Sequence, residues 1–448
     1  MQVVLISTYE LGRQPFGLAS PAAWLRRAGA AVTCLDLSRQ PLNEPAVREA
    51  ALVALYVPMH TATRLAAGLV PRLRRLNPTA HVCFYGLYAP VNEAFLRGIG
   101  AETILGGEFE PGLLSLYRRL ETGDRGPQRE PVVSLERLRF IAPDRAGLLP
   151  LTEYARLRNG DGGTRTVGYT EASRGCLHLC RHCPVVPVYQ GRFRVIQAEV
   201  VLEDIRRQAA AGARHITFGD PDFFNGVGHG MAIVRRLHEE RPELTYDVTI
   251  KIEHLLKYKQ YLQALRETGC LFVTSAVESL DDGVLARLEK GHTRRDFFEV
   301  LRLCGGAGLT LSPTFVPFTP WTSREDYRDL LRTLAERDLV ANVAPIQLAI
   351  RLLIPSGSRL LELPEVLRMA GEFDPAALSY RWAHPDPGMD ELCRQVQKLI
   401  QQAEARGAGR EEIFDQVWRL ACDEAPPFET ANRLNRAAIP YLNEPWYC

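Results

Sequence analysis

Residues 2–6 form a short apolar run, and after a loop rich in Gly and Pro a helical pattern follows over residues 22–28. This alternation continues through the first 120 residues. Residues 31–37, 51–57, 81–85 and 102–105 read as strands, residues 63–76 as an amphipathic basic helix, and residues 95–99 as a short helix. Strands alternating with helices at this interval predict a doubly wound α/β sheet. Such a sheet takes ligands at the carboxyl ends of its strands, here the loops 7–20, 58–61, 86–90 and 106–111.

The pattern breaks at residues 121–163, which are polar at their start and carry a Gly-rich turn from Asn159 onward. This stretch reads as a linker. A second series follows, with strands expected at 166–170, 215–218, 245–250, 271–276, 310–316 and 344–353 and helices between them, such as 199–211 and 231–240. Six β/α units in this length predict a partial parallel (β/α)6 barrel. Beyond residue 363 convincing strands are lacking; 390–405 and 411–422 read as helices and the Pro-rich end as an extended tail. The expected organisation is therefore a Rossmann-like domain at 1–120, a linker at 121–163, a barrel at 164–362 and a helical region with tail at 363–448.

Composition narrows the classes. The chain has 448 residues, 46% of them hydrophobic and 24% charged, as in soluble globular proteins. Lys plus Arg total 54 against 53 for Asp plus Glu, a net charge of +1, so no strong field points to nucleic acid or a membrane. The start, MQVVLISTYELG, has the pattern of a first strand and not of a secretory signal. No segment approaches the ~18 uninterrupted apolar residues of a membrane span. A cytoplasmic location is expected.

Of the ten cysteines, seven are dispersed and three, Cys176, Cys180 and Cys183, fall within one short stretch. In a reducing compartment dispersed thiols suggest core residues and clustered ones suggest metal. The stretch reads Glu171-Ala-Ser-Arg174-Gly175-Cys176-Leu-His178-Leu-Cys180-Arg-His182-Cys183-Pro and follows the first expected barrel strand. Three thiolates can bind three irons of a cubane cluster and leave the fourth iron open. A structural zinc site using these cysteines with His178 or His182 is the competing reading.

The spacing of these cysteines and the Arg174-Gly175 lead-in resemble the CxxxCxxC signature of the radical S-adenosylmethionine (SAM) superfamily. Position 182 departs from it, since the superfamily usually has an aromatic residue there, near the adenine. The resemblance covers about residues 160–362 and implies a 4Fe-4S cluster on the three cysteines, SAM on the open iron, and an external reductant such as flavodoxin or ferredoxin. Phe218-Gly219-Asp220-Pro221 resembles a variant of the superfamily's motif for the SAM amino group. The segment holding Glu278 resembles the fourth-strand segment of related enzymes, and Thr314 and Arg351 lie on the fifth and sixth expected strands. The implied SAM contacts are His182, Gly219, Asp220, Pro221, Glu278, Thr314 and Arg351. For several of these a structural role competes: Gly219 to Pro221 as a plain turn, Glu278 as a solvated strand-end carboxylate, Arg351 as the partner of a buried acid.

The first domain looks like the one preceding the barrel in cobalamin-binding radical SAM proteins, a resemblance helped by Leu105-Gly106-Gly107-Glu108. It has no Asp-x-His-x-x-Gly, the motif that supplies histidine to cobalt; His60 and His81 are its only histidines. Cobalamin without a histidine ligand, or loss of that role, are both open. The segment 7–20 and the terminal Pro445-Trp446-Tyr447-Cys448 resemble radical SAM proteins whose tails end Cys-selenocysteine-Ala-Glu-Pro or Cys-Cys-Ala-Glu-Pro. That resemblance implies a native chain running past Cys448 through a selenocysteine, with Cys448 in a redox or nucleophilic tail; an ordinary terminal cysteine is the competing reading.

The expectation is a radical SAM enzyme modifying, or transferring a methyl or other group to, a small molecule. One alternative is 3-amino-3-carboxypropyl transfer to a soft acceptor such as arsenic. Another is a non-enzymatic zinc or iron-sulfur sensor.

Overall fold

A computed structural model describes residues 1–158, 162–422 and 440–443. The first sheet contains β1 (Gln2–Ser7), β2 (Ala31–Asp36), β3 (Leu52–Tyr56), β4 (His81–Tyr85), β5 (Thr103–Gly107) and β6 (Val133–Ser134). Its order is β2-β1-β3-β4-β5-β6, parallel throughout. β3, β4 and β5 are buried along their whole length, as expected for strands covered by helices on both faces. Two apolar clusters, one on each face, form this core.

The second sheet contains β7 (Arg156–Arg158), β8 (Thr164–Thr170), β11 (His215–Phe218), β12 (Thr245–Thr249), β13 (Cys270–Glu278), β14 (Thr310–Phe315) and β17 (Tyr441–Leu442). Its order is β14-β13-β12-β11-β8-β7-β17. The five strands from β8 to β14 are parallel, and β7 and β17 add antiparallel to the β8 edge. A short hairpin, β9 (Ser173–Gly175) with β10 (Phe193–Val195), stands off this sheet, and another, β15 (Phe373–Asp374) with β16 (Ser379–Tyr380), lies in the C-terminal region. Two of the helices that pack on the curled sheet start with strong caps: Thr293 with Asp296, and Ser323 with Asp326, form reciprocal capping boxes.

Three expectations are corrected. Residues 344–353 are not a sixth strand; Pro345–Leu348 is a 3-10 turn, and only Arg351 bridges Phe318 in parallel fashion. Pro345 starts that turn, and Gln347 folds inward so that its Oε1 accepts from Phe315 N, capping β14. The stretch read as a linker supplies β6 to one sheet and β7 to the other. The C-terminal region, read as lacking strands, contributes β15, β16 and β17. Among the described residues no helix is long and apolar enough to cross a membrane.

Candidate functional site

The three clustered cysteines lie on the excursion between β9 and β10. The hairpin closes this excursion at its base, with Gly175 opposite Phe193 and Ser173 opposite Val195. Gly175 has φ +76°, and a Cβ there would stand 2.3 Å from the Tyr189 ring and 2.5 Å from Arg192 O, so only glycine makes the turn into Cys176. Asn225 holds the next step, its Oδ1 accepting from Leu177 N at 3.1 Å and lying 3.8 Å from Cys176 Sγ. Cys180 is buried, and Cys176 and Cys183 are half-buried. Burial raises the Cys176 thiol and pushes Cys183 up to about 12. A bound cation would supply the charge these sulfurs lack.

The sulfur spacing bears on which metal fits. Among the described residues, the one trio whose ligand atoms all lie within 4.8 Å of one another is Cys176, His178 and Asp222, so the three sulfurs do not form such a group. Tetrahedral zinc at ~2.3 Å from each sulfur needs thiolates roughly 3.8 Å apart. A cubane spreads them over three irons and suits the wider set. Neither histidine proposed for zinc is grouped with all three sulfurs. His182 Nε2 lies 3.1 Å from Glu278 Oε1, and His178 faces Lys251, Asp222 and Glu253.

Glu278 ends β13 with φ +70°, a left-handed conformation at a register shift against β14. A non-glycine residue held there marks a strained position. Burial alone would raise its carboxyl, but the Lys290 charge 3.3 Å away and the bond to His182 outweigh it and hold Glu278 down at about 2. Lys290 is itself buried, and the Cys180 and Cys183 sulfurs are among the charges that favour its ammonium form. A fixed positive group therefore sits between the strand-end carboxylate and the cysteines.

Asp220 braces the other side. Its Oδ2 accepts from Ala172 N at 2.9 Å and its Oδ1 from Ser173 Oγ at 2.5 Å, so it props the strand leading into the cysteines. Burial lifts it to about 7 against those bonds. Gly219 leaves room for Tyr169, whose hydroxyl would stand 1.8 Å from a Cβ at that position. Pro221 is exposed beside them. Thr314 lines a cavity of about 240 Å³ inside the barrel, with Thr217, Gly219, Asp247, Thr249 and Thr274. Leu11 and Arg13 of the first domain, and Tyr441 and Leu442 of β17, complete its wall.

Arg351 is elsewhere engaged. Its Nη1 meets Asp390 Oδ1 at 2.5 Å and its guanidinium lies 3.6 Å from the centre of the Trp382 ring, so it docks the helix Pro387–Ala405. The acid expected as the competing partner is the one present. Cys448 and the tail proposal lie outside the described residues. His60 Nε2 contacts Ala377 O, and His81, which begins β4, bonds Thr103 Oγ1.

Sequence reasoning missed the partners of three groups. Arg174 is buried and ion-paired to Glu108, Glu110 and Glu171, with its guanidinium 4.9 Å from the Phe109 ring centre. It thereby joins the cysteine loop to the carboxyl edge of the first sheet. Lys290 had only its place in Glu-Lys-Gly-His to mark it. The third group is Asp222 with His254 Nδ1 at 2.7 Å and His178 Nε2 at 3.5 Å, beside Cys176. Its members come from three separate strand-end loops, so local sequence carried no signal.

Residues 170–334 match the family model of the radical SAM superfamily. The chain is 25% identical over 174 residues to the hopanoid C-3 methylase of Methylococcus capsulatus, covering 39% of this chain and 33% of that protein. It spans between a third and about half of the length of the curated relatives it matches. Its fold is similar to that of TsrM from Kitasatospora setae, a radical SAM methyltransferase solved with tryptophan and a SAM analogue (TM-score 0.68, 17% identity, 89% of each chain covered). It is also similar to OxsB, a cobalamin-dependent SAM radical enzyme (TM-score 0.65, 14% identity, 90% of this chain and 66% of that one). A cysteine loop above the end of β8 and a curled parallel sheet behind it lie in the stretch matched by the family model, so residues 170–334 form a radical SAM domain in a chain whose fold is similar to those of TsrM and OxsB.

Proposed function

We propose that the protein is a radical SAM enzyme that carries out methyl or other group transfer on a small molecule bound in the barrel. The observation that carries this reading is the cysteine loop itself: three sulfurs too widely spaced for one zinc, on a clasped excursion beside Lys290 and Glu278. When bound, a 4Fe-4S cluster supplies the electron for reductive cleavage of SAM. Cys176, Cys180 and Cys183 would hold it.

The chain's own residues then bind and orient. Lys290 offers a fixed positive charge to a carboxylate, and Glu278, ionised at neutral pH, offers an acceptor to hydroxyl or amino groups. Asp220 acts through Ala172 and Ser173 by fixing the lead into the loop. Thr217, Thr249, Thr274 and Thr314 line the cavity, and these polar residues suit a polar substrate portion. An external one-electron donor such as flavodoxin or ferredoxin is required.

Cobalamin belongs to the same reading. The order β2-β1-β3-β4-β5 places a ligand crevice at the carboxyl edge of the first sheet. Asn92 Oδ1 there is buried without a hydrogen-bond partner, which suits an amide-rich ligand. Tyr56 packs against Gly17 and, with Tyr85 and Phe109, fills the gap beneath the helix Phe16–Arg27, so these rings would border a bound corrinoid's crevice. With His60 and His81 engaged elsewhere, cobalt would receive no histidine from this domain.

Anaerobic reconstitution tests the proposal. About four irons per chain, an electron paramagnetic resonance spectrum that changes on adding SAM, and loss of both in Cys176→Ala are expected. Products separate the bonds cleaved: 5′-deoxyadenosine or S-adenosylhomocysteine supports the reading, and methylthioadenosine supports 3-amino-3-carboxypropyl transfer. One tightly bound zinc and a spectrum indifferent to SAM overturn it.

A further inference from the structure

A second, unassigned polar site lies at the carboxyl ends of β1 and β2, on the first domain. Ser7 and Asp36 are register partners, so their side chains share one face of the sheet. Glu10 follows in the loop after β1, and Tyr154 arrives from the segment between the two sheets, its neighbour Ala155 N bonded to Gly12 O at 2.8 Å. All four residues are more than nine-tenths buried: Ser7 is 0%, Asp36 1%, Tyr154 5% and Glu10 6% exposed. Ser7 Oγ, Glu10 Oε2, Asp36 Oδ2 and Tyr154 Oη all lack a hydrogen-bond partner.

Ser7 stands opposite Asp36 in register, and Glu10, Asp36 and Tyr154 feel one another's charge. Asp36 Oδ1 is already used by Ser38, accepting from its N at 3.0 Å and its Oγ at 2.7 Å, which leaves Oδ2 for another partner. The Tyr154 hydroxyl stands beside the Asp36 carboxyl and interacts with it, which lowers Asp36 against the effect of burial and raises Tyr154; the Glu10 charge also raises Tyr154, and the Asp36 charge raises Glu10. Arg39 lies over the Tyr154 ring at 5.8 Å, and Arg13 and Arg145 offset part of the Glu10 charge. Burial, together with Glu171 and Asp36, still raises Glu10 well above the carboxylate range. A buried unpaired carboxylate is costly unless a proton or cation joins it.

We infer that Ser7, Glu10, Asp36 and Tyr154 form a binding site for a divalent, oxygen-ligated cation. Two carboxylate oxygens and two hydroxyls make an all-oxygen donor set, the kind that Mg²⁺ and Ca²⁺ take, with water completing the shell. The cation neutralises Glu10 and Asp36. It also ties Tyr154, which leads into β7, to the first two strands, so it acts as a bolt between the two sheets.

The test uses the reconstituted protein with its cysteine-bound cluster, stripped with a chelator while visible absorbance confirms that the cluster remains. Thermal unfolding and calorimetric titration are then followed with MgCl₂, with CaCl₂, and with KCl at matched ionic strength. A saturable rise in Tm with Mg²⁺ or Ca²⁺, at one cation per chain and absent with KCl, is expected. Glu10→Gln and Asp36→Asn should each weaken cation binding at least tenfold. In chelator each should be no less stable than the parent, because an amide removes an unpaired buried charge. The inference is overturned if neither cation binds the parent protein, if both variants bind it undiminished, or if hydroxocobalamin raises Tm where both cations fail. A crystal structure with water alone on all four atoms overturns it too.

Discussion

The Arg174 guanidinium meets the Glu110 carboxylate at 2.7 Å, and both side chains are buried where the first sheet's edge touches the cysteine loop. Glu108 at 3.4 Å and Glu171 at 2.7 Å complete a set in which three acids face one base. Glu110 also accepts from Ser20 Oγ at 2.6 Å, and Glu108 from Tyr189 Oη at 3.2 Å. The two halves of the molecule are thus joined by a charge network two residues from the first cysteine.

Removing the base should be costly. Arg174→Met leaves three buried acids without their cation, and a loss of about 3–5 kcal/mol is expected by urea unfolding. Glu110→Gln keeps the shape and two other acids, and should cost less. Equal losses in the two variants would show that the network does not behave as one charge-balanced unit.

The same network sets a pH dependence. Burial lifts Glu108 to about 7 despite Arg174. Its folded-state value therefore exceeds its unfolded value, and the folded protein holds the proton more tightly. The associated stability is full below about pH 4.5 and is lost as pH rises through 7. Asp220, also lifted to about 7, contributes with the same sign from about pH 4 upward. Glu108→Gln with Asp220→Asn should flatten the decline in unfolding free energy between pH 5 and 8; an unchanged slope would contradict it.

Gly175→Ala places a methyl group 2.3 Å from the Tyr189 ring in a backbone conformation that side chains avoid. Iron content after reconstitution should fall by more than half while far-ultraviolet circular dichroism stays near that of the parent. Full iron loading in this variant would show that the loop turns another way.

Arg351→Ala should leave SAM binding unchanged. Its pair with Asp390 is about a quarter exposed, so about 1 kcal/mol of stability is at stake, part of it from the Trp382 stack. A SAM titration followed by electron paramagnetic resonance checks this; a tenfold weaker affinity would return Arg351 to the SAM site.

Much of the architecture was readable from periodicity. β1, β3, β4 and β11 are buried runs whose apolar residues stand out, and the spacing of Cys176, Cys180 and Cys183 singled out their loop. What escaped depended on distance along the chain. β6 has only two residues and owes its pairing to β5. Residues 344–353 look like a strand by composition, but Pro345 and the inward Gln347 impose a turn. Arg174 finds its acids 64 and 66 residues away, and Lys290 finds Glu278 across a helix. Such pairings become visible only when loops from different strands meet.

β17 has a bearing on biogenesis. Tyr441 and Leu442 pair with β7 and form part of the cavity wall, so that wall is absent until the ribosome has added residue 442. Every other strand of the curled sheet has been translated long before. During synthesis the chamber therefore stands open on that flank until β17 pairs with β7.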